Sequence, residues 1–498
     1  MRSREYFQPI ILVLLLLVQS CVNWDNEYEL PDPEWSPEEV MKLAENSFRD
    51  LHNVLQGDSS VALAMGVMAD HITCSWNNFG MRDLSLEPRT TSFNNSSDND
   101  YYLIIDNQWD RIYEVIFEVN FVLERLYGGV LFGDEGEDND MVEAFCWFTS
   151  AVAHGYLGLI FDQATVVEWD SDVTNLSLVS WQDMIDESLT MLDKAIALCE
   201  SSQFVLPEEW LGGQSMDAGG LGQMANSYAA RILAYGSRTK AHNDALDWTK
   251  VLDYAQNGID WDFSPFLGSE YGWYDKYTTY ARLAGWGFAD MRLVNIMDKD
   301  YPSKWPADNE SWTTPDGQWP GEPAPGDQRL DSDFDYLPLS SFPSLPGYLN
   351  SRIIFRRYED IFVDNDQLGI GPKPSFRAWE LKLLEAEALL RTGNEAAALV
   401  ILNDPAGPRK ERGGLDDVLP EDDILRYILD EKEIECYLTG AGVSFYDMRR
   451  TDRLQPATLL HFPVPYKQLE LFELPVYTIE AIADGINGSA GDWTGWDE

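Results

Sequence analysis

The sequence predicts an all-α fold in which tetratricopeptide-like helical repeats carry a large, loop-rich inserted subdomain. Apolar residues recur every three to four positions through long stretches of both halves of the chain, as they do in amphipathic helices. Two such stretches, 376–391 and 395–402, are joined by Thr392-Gly393-Asn394 and have alanines where the helices would cross, which is typical of tetratricopeptide-like repeats. Between residues 259 and 375 the helical period disappears, while prolines and tryptophans accumulate.

The N-terminus has the pattern of an export signal. Arg2 and Arg4 precede the apolar run Ile10–Val18, which is too short to span a bilayer as a permanent helix. The run ends in Val18-Gln19-Ser20-Cys21, which resembles the bacterial lipoprotein signal, whose cysteine becomes the acylated mature N-terminus. We therefore expect residues 1–20 to be a lipoprotein signal peptide and Cys21 to be lipidated. The alternative is an ordinary secretory signal followed by a coincidental cysteine.

Composition divides the rest of the chain into four parts. Residues 21–39 are acidic and proline-rich and have no apolar period, so we expect a tether. The other three parts are a helical scaffold at 40–258, a loop-rich ligand-binding subdomain at 259–375, and a helical hairpin with a C-terminal segment that closes the scaffold at 376–498. No later segment has enough uninterrupted apolar residues to span a membrane, so we expect anchoring at one end only.

A recognition loop is predicted at Asp70–Asn95, between the helical stretches Glu38–Met68 and Trp109–Leu126. The helical period stops in this segment, and Trp76 and Phe79 lie among asparagines and arginines. Long loops that are held by helices at both ends frequently bind ligands. The alternative is that the two rings only pack the loop onto the core.

A second aromatic cluster lies in the loop-rich part, around Trp273 and Trp286. Tryptophan and tyrosine rings stack on the apolar faces of sugars, while amides and arginines bond to sugar hydroxyls. We therefore expect the ligand to be an oligosaccharide or polysaccharide. The candidate ligand-binding residues in the two segments are Trp76, Asn78, Arg82, Arg89, Trp273, Tyr274 and Trp286.

The charge of the chain excludes some classes of ligand. Lysine and arginine total 35 against 85 aspartates and glutamates, a formal net charge of −50. Nucleic acid is excluded as a partner because binding to phosphates needs clustered cations, and polyanionic glycans are disfavoured. The chain is nevertheless 45% hydrophobic, which is enough for a folded core.

Catalytic and cofactor motifs are missing from the sequence. There is no H-E-x-x-H, G-x-S-x-G or Walker loop. Gly220-Leu221-Gly222-Gln223-Met224-Ala225 fits the dinucleotide-binding pattern, but a glycine-rich polar stretch precedes it where a buried strand is needed. Carboxylate pairs that could serve a glycosidase are expected by chance among 85 acidic residues. We therefore expect no enzyme activity, no catalytic residue and no cofactor.

Metal binding and disulfide formation also lack a clear motif. Asp331-x-Asp333-x-Asp335 and Asp134-x-Gly136-x-Asp138 resemble calcium loops but lack the glycine and distal glutamate of an EF-hand, so we expect solvated acidic loops and no metal site. Cysteines in apolar helical sequence are expected to be buried free thiols. In an exported protein, a disulfide between two of them remains an alternative. After Cys21, the cysteines are Cys74, Cys146, Cys199 and Cys436.

Several segments together resemble the SusD/RagB family of surface nutrient-binding lipoproteins of Bacteroidota-type bacteria. Each is only loosely similar, whereas their order and spacing are specific. Besides the motif at Cys21, they are WDRIYEVIFEVNFVL (109–123), EAFCWFTSAVAHGYLGLIFDQATVV (143–167), ANSYAARILAYGSR (225–238), FRAWELKLLEAEALLRTGNEAAAL (376–399) and the run from ILDEKEIE to YDMRR (428–450). The chain departs from the family pattern at Val119, at Gly440-Ala441-Gly442-Val443 and at Glu411-Arg412-Gly413-Gly414-Leu415, all in predicted scaffold.

The resemblance implies a function as well as a fold. It implies a lipid-anchored protein on the outer face of the outer membrane, which binds oligosaccharides and passes them to a SusC-like TonB-dependent transporter. No ligand-binding residue of the family carries over to this sequence, because such residues vary widely. Two alternatives remain: the same scaffold could bind cationic peptides, which would suit the acidic surface, or two of the many carboxylates could act as a glycosidase.

Overall fold

The computed structural model describes residues 35–57, 60–86, 89, 93–283, 286–305, 321–324, 326–337, 349–362 and 369–479. The predicted signal peptide, Cys21, most of the predicted tether and the C-terminal residues 480–498 lie outside the described residues.

The described chain is helical, and its strands are only two or three residues long. The helices are α1 Pro37–Leu55, α2 Val61–Met68, α3 Met81–Ser85, α4 Leu103–Tyr127, α5 Asn139–Ile160, α6 Trp181–Ser201, α7 Ala218–Gly236, α8 Lys240–Asp244, α9 Trp248–Gln256, α10 Lys276–Arg282, α11 Met291–Met297, α12 Arg329–Asp333, α13 Ala378–Arg391, α14 Glu395–Leu402, α15 Pro408–Glu411, α16 Ile424–Glu435, α17 Val443–Arg450 and α18 Tyr466–Leu471. Short 3-10 helices lie at Asn78–Gly80, Asp134–Gly136, Glu208–Leu211 and Glu359–Ile361.

The strands form five antiparallel two-stranded ribbons. The strands are β1 Ile72–Thr73, β2 Gln163–Ala164, β3 Val179–Ser180, β4 Val205–Leu206, β5 Met216–Asp217, β6 Phe266–Leu267, β7 Phe288–Ala289, β8 Phe334–Tyr336, β9 Ile353–Phe355 and β10 Gly371–Pro372. The pairs are β1 with β7, β2 with β3, β4 with β5, β6 with β10, and β8 with β9. The all-α prediction is therefore confirmed, since these strands only join loops.

The scaffold is built by helices that pack on their neighbours in the chain. Helix α4 packs on α1 and α5, α5 on α6, and α6 on α7, while α9 packs on both α7 and α13. One large core unites these helices with the inserted part of the chain. Apolar residues at three-to-four spacing supply that core, which is why the periodicity located most of the long helices.

The first helix begins earlier than the predicted boundary at residue 40. Ser36 caps it: the Ser36 hydroxyl accepts a hydrogen bond from the Glu39 backbone N–H at 3.3 Å, and the Glu39 carboxylate accepts one from the Ser36 N–H at 2.9 Å. Pro37 occupies the first helical turn, where a missing N–H costs nothing. The assignment of Pro37 to an extended tether is therefore wrong.

The helical hairpin near the C-terminus is confirmed. Helices α13 and α14 are joined at Gly393, whose φ of 89° favours glycine, and the N–H of Asn394 donates to the carbonyl of Leu389 at 2.8 Å. The hairpin packs with α16 around a separate small core of Leu383, Ala386, Leu389, Ala398, Leu402, Val418, Ile424 and Ile428. The glycine-rich stretch at 212–222 is partly helical, because Asp217 caps α7 through the Gly220 N–H.

Helix α16 joins the inserted part to the scaffold through buried ion pairs. Glu431 binds Arg329, and Glu433 binds Arg292 with both carboxylate oxygens. Glu435 lies among the guanidinium groups of Arg357, Arg377 and Arg412. Removing one partner of a buried pair leaves an uncompensated charge, so these contacts fix how the inserted part sits on α16.

Candidate functional site

The ribbon of β1 and β7 brings the two predicted recognition segments together. Ile72 pairs with Ala289, and Thr73 pairs with Phe288. Because the strands are antiparallel, the chain that leads on to Trp76 and the chain that arrives from Trp286 meet at the same end of the ribbon. No local pattern indicates this pairing, since residues 72 and 289 are far apart in the chain.

Tyr280 is the centre of a group of rings at that end. Its ring lies 5.7 Å from the ring of Phe79 and 5.4 Å from that of Trp286, both in edge-to-face geometry. The side-chain amide of Asn78 donates a hydrogen bond to the Tyr280 hydroxyl at 2.5 Å. Edge-to-face pairs are favourable beyond the area they bury, by about 0.5–1.5 kcal/mol each. We call Trp76, Asn78, Phe79, Tyr280 and Trp286 the aromatic surface.

Two indoles of the aromatic surface are partly exposed. Trp76 is 37% exposed and Trp286 is 39% exposed, whereas most tryptophans of the described chain are more deeply buried. The Tyr280 ring packs edge-to-face against the Trp286 indole. A ring that is already ordered loses little conformational entropy when a ligand stacks on it, so the arrangement suits binding.

The backbone between Asn78 and α3 is strained. Phe79 has a φ of 54° and Gly80 a φ of 74°, two consecutive left-handed residues. A Cβ on Gly80 would lie 2.7 Å from the ring of Tyr101, so only glycine fits there. A left-handed non-glycine residue costs about 1–3 kcal/mol and is found preferentially at functional sites.

Asn77 stabilises this strained turn. Its side-chain oxygen accepts a hydrogen bond from the Asp83 backbone N–H at 3.0 Å, and its amide donates to the Asp83 carboxylate at 2.8 Å. The prediction of a non-helical loop is therefore wrong for Met81–Ser85. The described part of the segment contains β1, a 3-10 turn and α3, because side-chain bonds such as these replace the missing apolar period.

Trp273 does not belong to the aromatic surface. Its exposure is 0%, and its ring packs 4.9 Å from His52 and 6.1 Å from both Phe48 and Phe263. The structure therefore gives Trp273 a core role and removes it from the ligand-binding candidates. Tyr274 is half-buried, and its backbone N–H donates to the Asn53 side chain at 2.8 Å.

Arg89 also has a structural role. It is 5% exposed and forms an ion pair with Asp70 at 2.6 Å. Its guanidinium also bonds to the carbonyl of Leu86 at 3.0 Å. A guanidinium engaged in this way is not available to a ligand. Arg82 is half-buried on α3, close in sequence to the turn, and stays a candidate together with Trp76, Asn78 and Trp286.

The sequence alone does not single out Phe79 and Tyr280 as site residues. Tyr280 is one ring of an aromatic segment, and Phe79 is one ring of a predicted loop. Only the long-range pairing of β1 with β7 shows that they share a site. Neither composition nor local periodicity carries that information.

The described residues contain no arrangement suited to metal or thiol chemistry. Among them, no three His, Cys, Asp or Glu side chains are grouped to hold a metal ion. Cys74, Cys146, Cys199 and Cys436 are free and buried, which confirms the expectation of buried thiols. Burial raises the pKa of the Cys74 thiol to about 12, so it does not ionise near neutrality.

One acidic stretch differs from its prediction. Asp333 is buried at the end of α12, where it accepts hydrogen bonds from Arg357 and Arg412, each at 2.7 Å. Asp335 pairs with Arg356. The expectation of a solvated acidic loop is therefore wrong here, because arginines distant in the sequence neutralise these carboxylates.

Comparison with known structures identifies the fold. A surface glycan-binding protein A from Bacteroides uniformis superposes with a TM-score of 0.61 at 12% identity, over 90% of this chain and 100% of that chain. A SusD superfamily protein from Bacteroides vulgatus gives 0.60 at 14% identity over 88% and 97%. A SusD-like carbohydrate-binding protein from Bacteroides fragilis gives 0.57 at 16% identity over 83% and 86%.

The described chain is thus a helical scaffold that presents an exposed aromatic surface. It has the fold of the SusD superfamily, as the quoted segments predicted. No family model matches the sequence, and a search of curated proteins finds no match. In the part of the chain that the structure describes, no helix has the length and apolar character needed to cross a bilayer.

Proposed function

We propose that the protein is a glycan-binding lipoprotein of the SusD/RagB family, held on the outer face of the outer membrane by lipid on Cys21. It binds an oligosaccharide on the aromatic surface and delivers it to a SusC-like TonB-dependent transporter. The single observation that carries the binding step is the partly exposed indole of Trp286, packed edge-to-face on Tyr280, with the partly exposed Trp76 on the chain that leaves the same end of the ribbon. The names of the structural neighbours, which include a surface glycan-binding protein, support the choice of ligand.

The same proposal makes the protein a carrier without catalytic activity. A binder needs ordered rings and amides, and the aromatic surface supplies both. A glycosidase needs two carboxyl groups about 5–10 Å apart across the scissile bond. The carboxylate next to the strained turn, that of Asp83, accepts a hydrogen bond from the side-chain amide of Asn77. We also infer that the scaffold helices are divergent tetratricopeptide-like repeats, on the basis of their consecutive packing.

Affinity electrophoresis against a panel of neutral polysaccharides tests the binding step. We expect retardation of the wild-type protein by at least one polysaccharide, and loss of retardation in the double variant Trp76→Ala/Trp286→Ala. Trp35→Ala is the matched control, because Trp35 is also exposed but packs on Phe121 of α4. Retardation that persists in the double variant, or that is lost equally in the control, would contradict the site.

The peptide alternative is favoured by the net charge of −50. Calorimetry with a digest of a cationic protein distinguishes it from the glycan proposal. Binding that weakens steeply with added salt would identify a peptide ligand, since exposed charge pairs are screened beyond about 10 Å at 0.1 M salt. Stacking of neutral sugars on indoles is expected to depend little on salt.

A further inference from the structure

The ribbon of β1 and β7 has a second end, opposite to the aromatic surface. There the chain runs from β1 back through His71 to Asp70, and from β7 on to Asp290. The backbone N–H of Asp290 donates to the carbonyl of His71 at 3.1 Å, which extends the ladder by one bond. The ribbon therefore places two aspartates at one end and the indoles of Trp76 and Trp286 beyond the other.

Asp70 has one charged and one neutral hydrogen-bond partner in this position. One carboxylate oxygen accepts from Arg89 at 2.6 Å, and the other accepts from the side-chain amide of Gln455 at 3.0 Å. Asp70 is buried and has a φ of 48°, so its backbone is strained as well. Burial raises the pKa of Asp70, and the charge of Arg89 and the hydrogen bond from Gln455 oppose this rise.

Asp290 is compensated differently. Its carboxylate accepts one hydrogen bond from the Arg292 backbone N–H at 2.9 Å and one from the Trp305 indole at 3.0 Å. The Arg292 guanidinium binds Glu433. Among the ion pairs of the described residues, none includes Asp290. A buried carboxylate with two neutral donors and a second carboxylate nearby is poorly stabilised in its ionised form.

Charged and titratable groups from several parts of the chain surround Asp290. They are Asp70, His71, Arg292, Tyr301, Glu433 and Tyr437. Burial lowers the pKa of His71 to about 4, so that ring is neutral. Burial opposes ionisation of Glu433, but Arg292 and Arg453 outweigh it and lower its pKa to about 2. Burial and then the Asp70 charge raise the pKa of Asp290 to about 7.

We propose that Asp70 and Asp290 are positioning residues for the aromatic surface, and that loss of the proton from Asp290 loosens the ribbon and weakens ligand binding. The part that concerns binding rests on the proposed function. The sign follows from linkage: a carboxyl group whose pKa is raised in the folded state stabilises that state fully below its ordinary pKa and loses this stabilisation as the pH rises to about 7.

Hydrogen exchange read by mass spectrometry tests the ribbon without any ligand. In the wild-type protein, the backbone amides of β1 and β7 should exchange about tenfold faster at about pH 8 than at about pH 5.5, after correction for the chemical exchange rate. Asp290→Asn should remove this pH dependence, while the control Asp300→Asn, an exposed site on the following turn, should keep it. Trp305→Phe removes one donor to the carboxylate and should move the midpoint to higher pH.

The outcomes separate the two proposals. The inference is overturned if wild-type exchange in the ribbon is independent of pH, or if it changes with pH no more than exchange in α5 does. This result comes from the wild-type protein and does not depend on whether Asp290→Asn folds. Affinity electrophoresis with the best-retained polysaccharide should show several-fold stronger retention at about pH 5.5 than at about pH 8. Equal retention at both pH values, with a pH-dependent ribbon, overturns the link to binding. No retention at either pH contradicts the proposed function and leaves the exchange result to decide the role of Asp290.

Discussion

Trp273 and Trp286 come from the same aromatic segment and have opposite environments. Trp273 lies in the core against Phe48, Phe263 and His52, whereas Trp286 is 39% exposed beside Tyr280. The difference comes from their neighbours: Trp273 precedes α10 and packs beneath the scaffold, while Trp286 precedes a strand that pairs with β1. Aromatic density alone therefore does not locate a binding surface, and the pairing of distant strands does.

The largest expected effect is on stability, at the buried ring. Trp273→Ala should lower the free energy of unfolding by about 3–5 kcal/mol, because it removes a fully buried side chain and leaves a cavity. Trp286→Ala should change it by less than about 1 kcal/mol, because that ring is partly exposed. Chemical denaturation of both variants measures the contrast. Equal losses would show that the two tryptophans do not differ in role.

Acid should weaken the polar support beneath the ribbon. Burial alone would raise the pKa of Glu433, but the charges of Arg292 and Arg453 outweigh burial and lower this pKa to about 2. This carboxylate therefore contributes stability above about pH 4.5 and loses it as the pH falls towards 2, in total roughly 3 kcal/mol. Glu433→Gln should be less stable at neutral pH and lose less stability on acidification. Denaturation at a series of pH values measures these free energies of unfolding. Glu470→Gln is the control, because Glu470 is an exposed residue of α18. Parallel pH curves for wild type and Glu433→Gln would contradict the role of the pair.

The strained turn should show an intermediate effect on both stability and binding. Gly80→Ala introduces a Cβ 2.7 Å from the Tyr101 ring at a left-handed φ, which we expect to cost about 1–3 kcal/mol. Gly129→Ala, also at positive φ but with open space around it, is the matched control for strain alone. Denaturation and affinity electrophoresis of both variants measure the effect. If binding survives in Gly80→Ala as it does in the control, the turn does not position the aromatic surface.

The smallest effect is expected for the hydrogen bond within the aromatic surface. Tyr280→Phe keeps the ring contacts with Phe79 and Trp286 and removes the hydroxyl that accepts from Asn78. A single hydrogen bond contributes about 0.5–1.5 kcal/mol, so binding should weaken up to about tenfold. Calorimetry with the oligosaccharide found by electrophoresis measures this, with Tyr127→Phe as the control, because the Tyr127 hydroxyl donates to Glu143 and not to the aromatic surface. An unchanged affinity would mean that Asn78 and Tyr280 do not organise the site.

The helices could be predicted from the sequence because their signals are local. The hairpin at 378–402 follows from apolar spacing and from a glycine in the turn. The helix predicted at Trp109–Leu126 is present but begins six residues earlier, at Leu103. The aromatic surface could be predicted only in part: Trp76, Asn78 and Trp286 lie in it, whereas Trp273 and Arg89 are buried. The contacts that could not be predicted join residues distant in the sequence. They are the pairing of residue 72 with 289 and the ion pair between Arg89 and Asp70, and composition does not reveal either of them.

A crystal structure of the protein soaked with its best-retained oligosaccharide tests the central claim most directly. The account predicts a sugar ring stacked on Trp76 or Trp286, with its glycosidic bonds intact. A sugar bound elsewhere while both indoles stay uncovered, or a cleaved product in the crystal, would contradict it.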